Sequence, residues 1–171
     1  MRRRGLMRML AALPVLQLVS GCARANDAPK GADFMPLTKP KAEWKALLAP
    51  ASYAVLFEED TERPFTSPLN NEKHKGTFVC AACFLPLFES AHKFDSGTGW
   101  PSFTQPIDGH IATKRDFKLV LPRTEYHCAR CGGHQGHVFD DGPPPRGERW
   151  CNNGVALAFV ADGTPLPALR T

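Results

Sequence analysis

Two C-x-x-C pairs, Cys80/Cys83 and Cys128/Cys131, account for four of the six cysteines, and Cys22 and Cys151 stand apart from them. Two such turns bring four thiolates to the corners of a tetrahedron, the geometry of a closed structural zinc site. The 44 residues between Cys83 and Cys128 exceed the spacing of a compact zinc ribbon. A metal here would therefore clamp two distant hairpins of one domain. Two local disulfides, or one thioredoxin-like redox pair, are the other readings of this spacing. A redox pair should open a helix beside a βαβ unit, and neither pair does.

Cys151 cannot be a fifth ligand of a tetrahedral ion. Arg149 lies two residues before it and Asn153 two after. On an extended strand all three side chains would project from one face. A guanidinium beside sulfur favours the thiolate and would bring its pKa below the free value of ~8.5. That makes Cys151 a candidate nucleophile, although a lone cysteine is more commonly an inert buried thiol.

Cys22 ends a different kind of segment. Arg2, Arg3, Arg4 and Arg8 precede the apolar run Met9 to Gly21, which is too short to span a bilayer. Residues 1–21 read as an export signal. Val19-Ser20-Gly21-Cys22 resembles the bacterial lipoprotein box, whose cysteine carries lipid, and the adjacent arginines resemble a twin-arginine signal. The expectation is an exported bacterial lipoprotein, held to a membrane at Cys22 and facing the periplasm or cell exterior. Loading zinc before export would protect the thiols in an oxidising compartment. The formal charge of +4 comes from this segment: without its four arginines the chain holds 17 basic and 17 acidic residues. A balanced surface excludes the basic footprint of a nucleic-acid binder.

Residues 22–40 lack a period and contain several breakers, so they read as a tether, leaving 41–171 as one domain. Two short helices are expected, one over Glu43 to Leu48 stopped by Pro50, and one over Ala51 to Glu59. From Gly76 the texture changes to short β runs: 77–79, 87–88, 93–94, 110–113, 118–121, 125–127, 137–139 and 155–160. No helical stretch separates them, so the fold class is mainly β with antiparallel pairing. Pro143-Pro144-Pro145 predicts a stiff, extended loop before Cys151.

The run Gly136-His137-Val138-Phe139-Asp140-Asp141-Gly142-Pro143-Pro144-Pro145, followed by Arg149-Trp150-Cys151-Asn152-Asn153, closely resembles the signature of methionine-R-sulfoxide reductases of the B type. Phe94-Asp95-Ser96-Gly97-Thr98-Gly99-Trp100-Pro101-Ser102-Phe103 and Thr61-Glu62-Arg63-Pro64-Phe65 resemble two further motifs of that family, and the likeness spans roughly Glu43 to Val160. It implies a β-tent-like pair of antiparallel sheets with a structural zinc clamp on Cys80, Cys83, Cys128 and Cys131. It implies reduction of methionine-R-sulfoxide in oxidised proteins, with Cys151 as nucleophile passing through a sulfenic acid. His137 and His134 match the active-site histidines that position or protonate the sulfoxide oxygen. Val138 and Asn153 match cysteine-using members. Arg149 would favour the thiolate, Asp141 would hold the charge network, and Trp100 and Phe139 would wall a pocket for the ε-methyl group. A thioredoxin-like domain or small thiol would be the reductant, and the chain would act as a monomer.

Three positions depart from the family pattern. Thr98 stands where many relatives carry a recycling cysteine, Asn152 replaces an apolar residue, and Trp150 replaces a tyrosine. Asp140 and Ser102, beside Gly and Pro, read as residues that shape turns. The rival reading is a non-catalytic zinc-clamped β binding module, which needs neither Cys151 nor its histidines. A general disulfide oxidoreductase would need two neighbouring redox thiols, and only Cys151 is left over.

Overall fold

The computed structural model describes residues 34–117 and 122–171. The expected export signal, Cys22 and the candidate strand at 118–121 lie outside the described residues. Helix α1 (Lys41–Leu47) buries Trp44, which stacks on Phe57 of α2 (Pro50–Glu58) with ring centroids 5.1 Å apart. Pro50 does not merely stop the first helix. It occupies the first turn of the second, where its missing N–H costs nothing. Glu59, in the left-handed region, closes α2, while Val55 and Leu56 face inward. No described helix is long and apolar enough to cross a membrane.

Nine strands are formed among the described residues. Strands β1 (Gly76–Cys80), β2 (Pro86–Glu89) and β9 (Leu157–Ala161) make a three-stranded sheet in the order β2-β1-β9. Strands β3 (Lys93–Phe94), β4 (Ser102–Phe103), β5 (Ile111–Asp116), β6 (Arg123–Cys128), β7 (His134–Phe139) and β8 (Arg149–Asn152) make a second sheet, ordered β3-β4-β8-β7-β6-β5. Every pairing is antiparallel. Strand β4 escaped the sequence reading because its two residues follow a Gly- and Pro-rich stretch with no alternation to read.

Aromatic rings fill the space between the sheets. Phe88 of β2 stacks on Phe103 of β4 at 4.1 Å, Phe78 of β1 meets the same ring edge-on, and Tyr126 of β6 packs edge-on against Trp150 of β8. All five rings are essentially buried, and truncating any of the phenylalanines to Ala would cost about 3–5 kcal/mol.

Alternation along β8 then divides the labour. Trp150 and Asn152 point into this core, so Arg149 and Cys151 point to the opposite face. Trp150 packs on Tyr126 and donates from Nε1 to Glu148, so this departure from the family pattern lies in the core.

Strand β7 carries an extra residue. Tyr126 pairs with Gly136 while His127 pairs with His134, leaving Gln135 as a bulge. The bulge shifts the period by one, which puts His134 and His137 on the same face with ring centroids 5.5 Å apart. Gly136 is required here, because a Cβ would overlap the carbonyl of Cys151 on the neighbouring strand.

Two loops differ from expectation. The Pro143-Pro144-Pro145 segment is no extended spacer. It closes a turn in which the Gly142 N–H donates to the Gly147 carbonyl and the Gly147 N–H to that of Pro143. The described end of the expected tether lies along the domain: the Leu37 N–H donates to the Arg130 carbonyl at 2.6 Å, and Phe34 meets His110 edge-on.

Candidate active site

The cross-strand register assembles the site as two rows on one face of the six-stranded sheet. Ser102, Cys151, His137, Glu125 and Lys114 are successive Cα partners across β4, β8, β7, β6 and β5. Two residues along, Asp116 pairs with Arg123 and Phe139 with Arg149. Because side chains two apart share a face, these residues converge although they are distant in sequence. An open cleft of about 410 Å³ lies over them, lined by Thr61, Trp100, Arg123, His137, Phe139, Cys151 and Asn153 among others.

Cys151 sits at the floor of this cleft, half-buried. Burial pushes its thiol up from the ordinary value, against the pull of Arg149 and of side-chain hydrogen bonds from Thr98, Arg149 and Ser102. The sequence expectation of a lowered pKa is thus corrected: the guanidinium is in place, but desolvation outweighs it. Arg149 is itself buried, lies over the Phe139 ring at 4.3 Å, and donates two bonds of 2.8 and 2.9 Å to the Asp141 carboxylate. That bidentate pair fixes the guanidinium and holds the Asp141 carboxyl below its usual range.

His137 Nε2 lies 2.9 Å from Asp116 Oδ2, and Arg123 Nη2 lies 2.6 Å from the same oxygen. A carboxylate between a guanidinium and an imidazole accepts from both, so Nε2 carries the proton and Nδ1 is left for another partner. Burial lowers the His137 pKa, and Asp116 offsets part of that effect. His134 is set deeper: it is almost fully buried, with Nδ1 3.0 Å from Glu125 Oε1, and is not among the residues lining the cleft.

The rim is held by residues 61–65. Trp100 Nε1 donates to the Glu62 carbonyl at 2.9 Å, the Glu62 N–H donates to Asn153 Oδ1 at 3.0 Å, and Asn153 Nδ2 donates to the Gln135 carbonyl. The Glu62 carboxylate accepts from the N–H groups of Gly154 and Val155. Glu62 thereby ties the tryptophan wall to the end of the cysteine strand.

On the other side of the sheet system the four C-x-x-C sulfurs lie within 4.8 Å of one another. Cys83 and Cys128 are 3.5 Å apart and Cys80 and Cys131 3.7 Å. A tetrahedron with Zn–S arms of 2.3 Å has edges of about 3.8 Å, so the cluster has the donor set and size of a structural zinc site. Gln135 Nε2 donates to Cys80 Sγ at 3.5 Å, an outer bond of the kind that orients a metal ligand.

A family model described as the SelR domain matches residues 48–161. The chain belongs to the SelR-domain family. It is 50% identical over 129 residues to the peptide methionine sulfoxide reductase MsrB of Agrobacterium fabrum, covering 72% of this chain and 96% of that protein. It is 52% identical over 120 residues to the protein of the same name from Bradyrhizobium diazoefficiens, covering 70% of this chain and 86% of that one. The MsrB of Pseudomonas putida is 52% identical over 124 residues, which cover 72% and 93% of the two chains.

In this SelR domain three site residues carry no readable signal in sequence. Asp116 and Arg123 reach His137 only through sheet register, and Ser102, expected to shape a turn, is a fully buried strand residue directly opposite Cys151. Asp140 is exposed, beyond the end of β7.

Proposed function

We propose that this chain reduces methionine-R-sulfoxide in proteins to methionine, as a peptide-methionine (R)-S-oxide reductase with a structural zinc ion. The observation that carries this reading is the placement of Cys151, the described cysteine outside the metal cluster, in a cleft between Trp100 and His137. The Cys151 sulfur attacks the sulfoxide sulfur. Two electrons pass from cysteine to methionine sulfur, the oxygen ends on Cys151 as a sulfenic acid, and the thioether leaves. The thiol brings one proton and the sulfenic acid keeps one, so the balance closes with no added acid. His137, with Nε2–H held by Asp116, holds or returns that proton near the sulfoxide oxygen. Trp100 and Phe139 offer apolar walls to the methyl group, which selects one sulfoxide epimer by shape.

An external thiol, from a thioredoxin-like domain or a small molecule, attacks the sulfenic acid, releasing water and forming a mixed disulfide that a second thiol resolves. A non-catalytic zinc-clamped module is the weaker reading, since it leaves the Cys151, Arg149 and His137 row without purpose. The basic segment Arg2 to Arg8 and the Val19-Ser20-Gly21-Cys22 box support export and lipid attachment at Cys22, with a monomeric enzyme facing the periplasm or cell exterior. The deciding experiment assays purified protein on separated R and S sulfoxides with a thiol reductant. Turnover confined to the R epimer is expected, and equal or absent turnover of both overturns the reading.

A further inference from the structure

Three hydroxyls cluster on the β4 side of Cys151, across β8 from His137. Ser102 is the Cα partner of Cys151 across β4 and β8 and is completely buried. Thr98 lies in the preceding loop, half-buried. Ser96 Oγ is 2.8 Å from Thr98 Oγ1 and 2.8 Å from Ser102 Oγ, so it bridges the two. Both Thr98 and Ser102 stand close enough to the Cys151 side chain to pull its pKa down.

We propose that Thr98 and Ser102 are catalytic residues that donate to the attacking sulfur of Cys151, and that Ser96 is the positioning residue that turns both hydroxyls toward it. Counting protons makes the cluster a switch. Each hydroxyl has one hydrogen to give. Ser102 Oγ also lies 3.2 Å from the Trp100 carbonyl, a competing acceptor. Beside a neutral thiol, Ser102 donates to that carbonyl and the thiol proton is shared with the cluster. Once sulfur is ionised, Thr98 and Ser102 both turn to it, and Ser96 donates to one of them. Hydrogen bonds to an ionised acceptor are about twice as strong as neutral ones, so the cluster favours the thiolate over the thiol.

Other charges around the sulfur leave room for this role. Arg149 is the nearest cation, but two of its N–H groups are engaged by Asp141. His137 faces Cys151 from β7, and Arg123 and Asp116 lie beyond it, paired with each other. From the core side Tyr126 stays neutral, its hydroxyl pushed well up by burial. A half-buried sulfur whose one guanidinium is shared gains further from neutral donors beside it. Thr98 thus acquires a purpose where relatives commonly place a recycling cysteine: it holds the sulfur as a donor instead of resolving it.

The test reads ionisation directly, and so stands apart from the substrate assignment. Zinc-loaded full chain is alkylated with iodoacetamide across a pH series, and the rate at Cys151 is followed by peptide mass spectrometry. Relative to wild type, Ser102→Ala and Thr98→Val should each move the midpoint up by about one unit, tenfold in thiolate fraction. Ser96→Ala should move it less, and Thr98→Ser should restore the wild-type midpoint. Because Thr98 lies in a loop, Thr98→Val decides the question even if Ser102→Ala does not fold. A midpoint unchanged in Thr98→Val, or a Thr98→Ser profile displaced as far as that of Thr98→Val, overturns the proposal.

Discussion

Gln135 and Asn152 are bonded side chain to side chain at 3.3 Å, and both are completely buried. Asn152 Oδ1 accepts from the Tyr126 hydroxyl at 2.9 Å, its Nδ2 also donates to the Asn153 carbonyl, and Gln135 Nε2 reaches Cys80 Sγ. A continuous polar chain thus runs from the metal cluster to the strand of Cys151. Asn152→Val alone strands the Tyr126 hydroxyl and the Gln135 side-chain oxygen Oε1, and should cost about 1–3 kcal/mol per group left unpaired. Adding Gln135→Leu and Tyr126→Phe should recover much of that loss. Urea denaturation of the single and combined variants measures it, and strictly additive losses would refute the network.

Zinc should be present at about one equivalent per chain and be needed for folding. Metal analysis, followed by chelation with the far-ultraviolet spectrum monitored, tests this. Folded active protein without metal, or with a disulfide inside either C-x-x-C pair, contradicts it.

Cys151→Ser should lower turnover by about 10³-fold or more while zinc content and unfolding midpoint stay near wild type. Asn153→Ala should lower the rate less, since it loosens the bonds to Glu62 and Gln135. Steady-state assays beside metal analysis separate these outcomes, and near-normal turnover in the serine variant defeats the mechanism.

His137 should titrate below the ordinary 6.5, because burial is the largest influence on it. A histidine whose folded pKa is depressed binds fewer protons folded than unfolded near that pH. Its contribution to stability is therefore present above the unfolded value and lost as pH falls from there through the lower folded value. Asp116→Asn should lower the midpoint further, since the carboxylate raises it. Proton NMR of the histidine rings follows both midpoints. A wild-type midpoint above 6.5 would reverse the sign.

After one turnover with excess sulfoxide and no reductant, a sulfenic-acid reagent should label Cys151, with no intramolecular disulfide formed. Every other described cysteine belongs to the metal cluster. Thr98→Cys should install an internal route, because Thr98 is linked through Ser96 to Ser102, the Cα partner of Cys151, provided that the loop brings the two sulfurs to bonding distance. Peptide mapping of wild type that joins Cys151 to another cysteine of the chain would exclude the external route.

Sequence legibility followed the range of the interactions. The two helices, the antiparallel β class and the C-x-x-C cluster could be read because spacing and alternation are local signals. Arg149 and Cys151 sharing a face was equally local, since one strand sets it. The Asp116–His137 pair and the Ser102–Cys151 pair were not readable, because each depends on which strands neighbour one another. The direction of the Cys151 pKa was also hidden: the favourable arginine is visible in the chain, whereas the burial that outweighs it belongs to the folded cleft.

The extra residue in β7 has a consequence for how this strand can change by descent. Gly136, His137 and Phe139 keep register with β8 on one side of Gln135, and His134 keeps its place beside Glu125 on the other. Deleting Gln135 would remove the bulge and leave His134 two places before His137, still on its face, but it would take away the bonds that this residue makes to Asn152, Asn153 and Cys80. Substitutions along this strand change one side chain at a time. Loss of that residue breaks the buried polar chain between the metal cluster and the strand of Cys151 in one step, so residues can be lost or gained in the 143–147 turn far more freely than here.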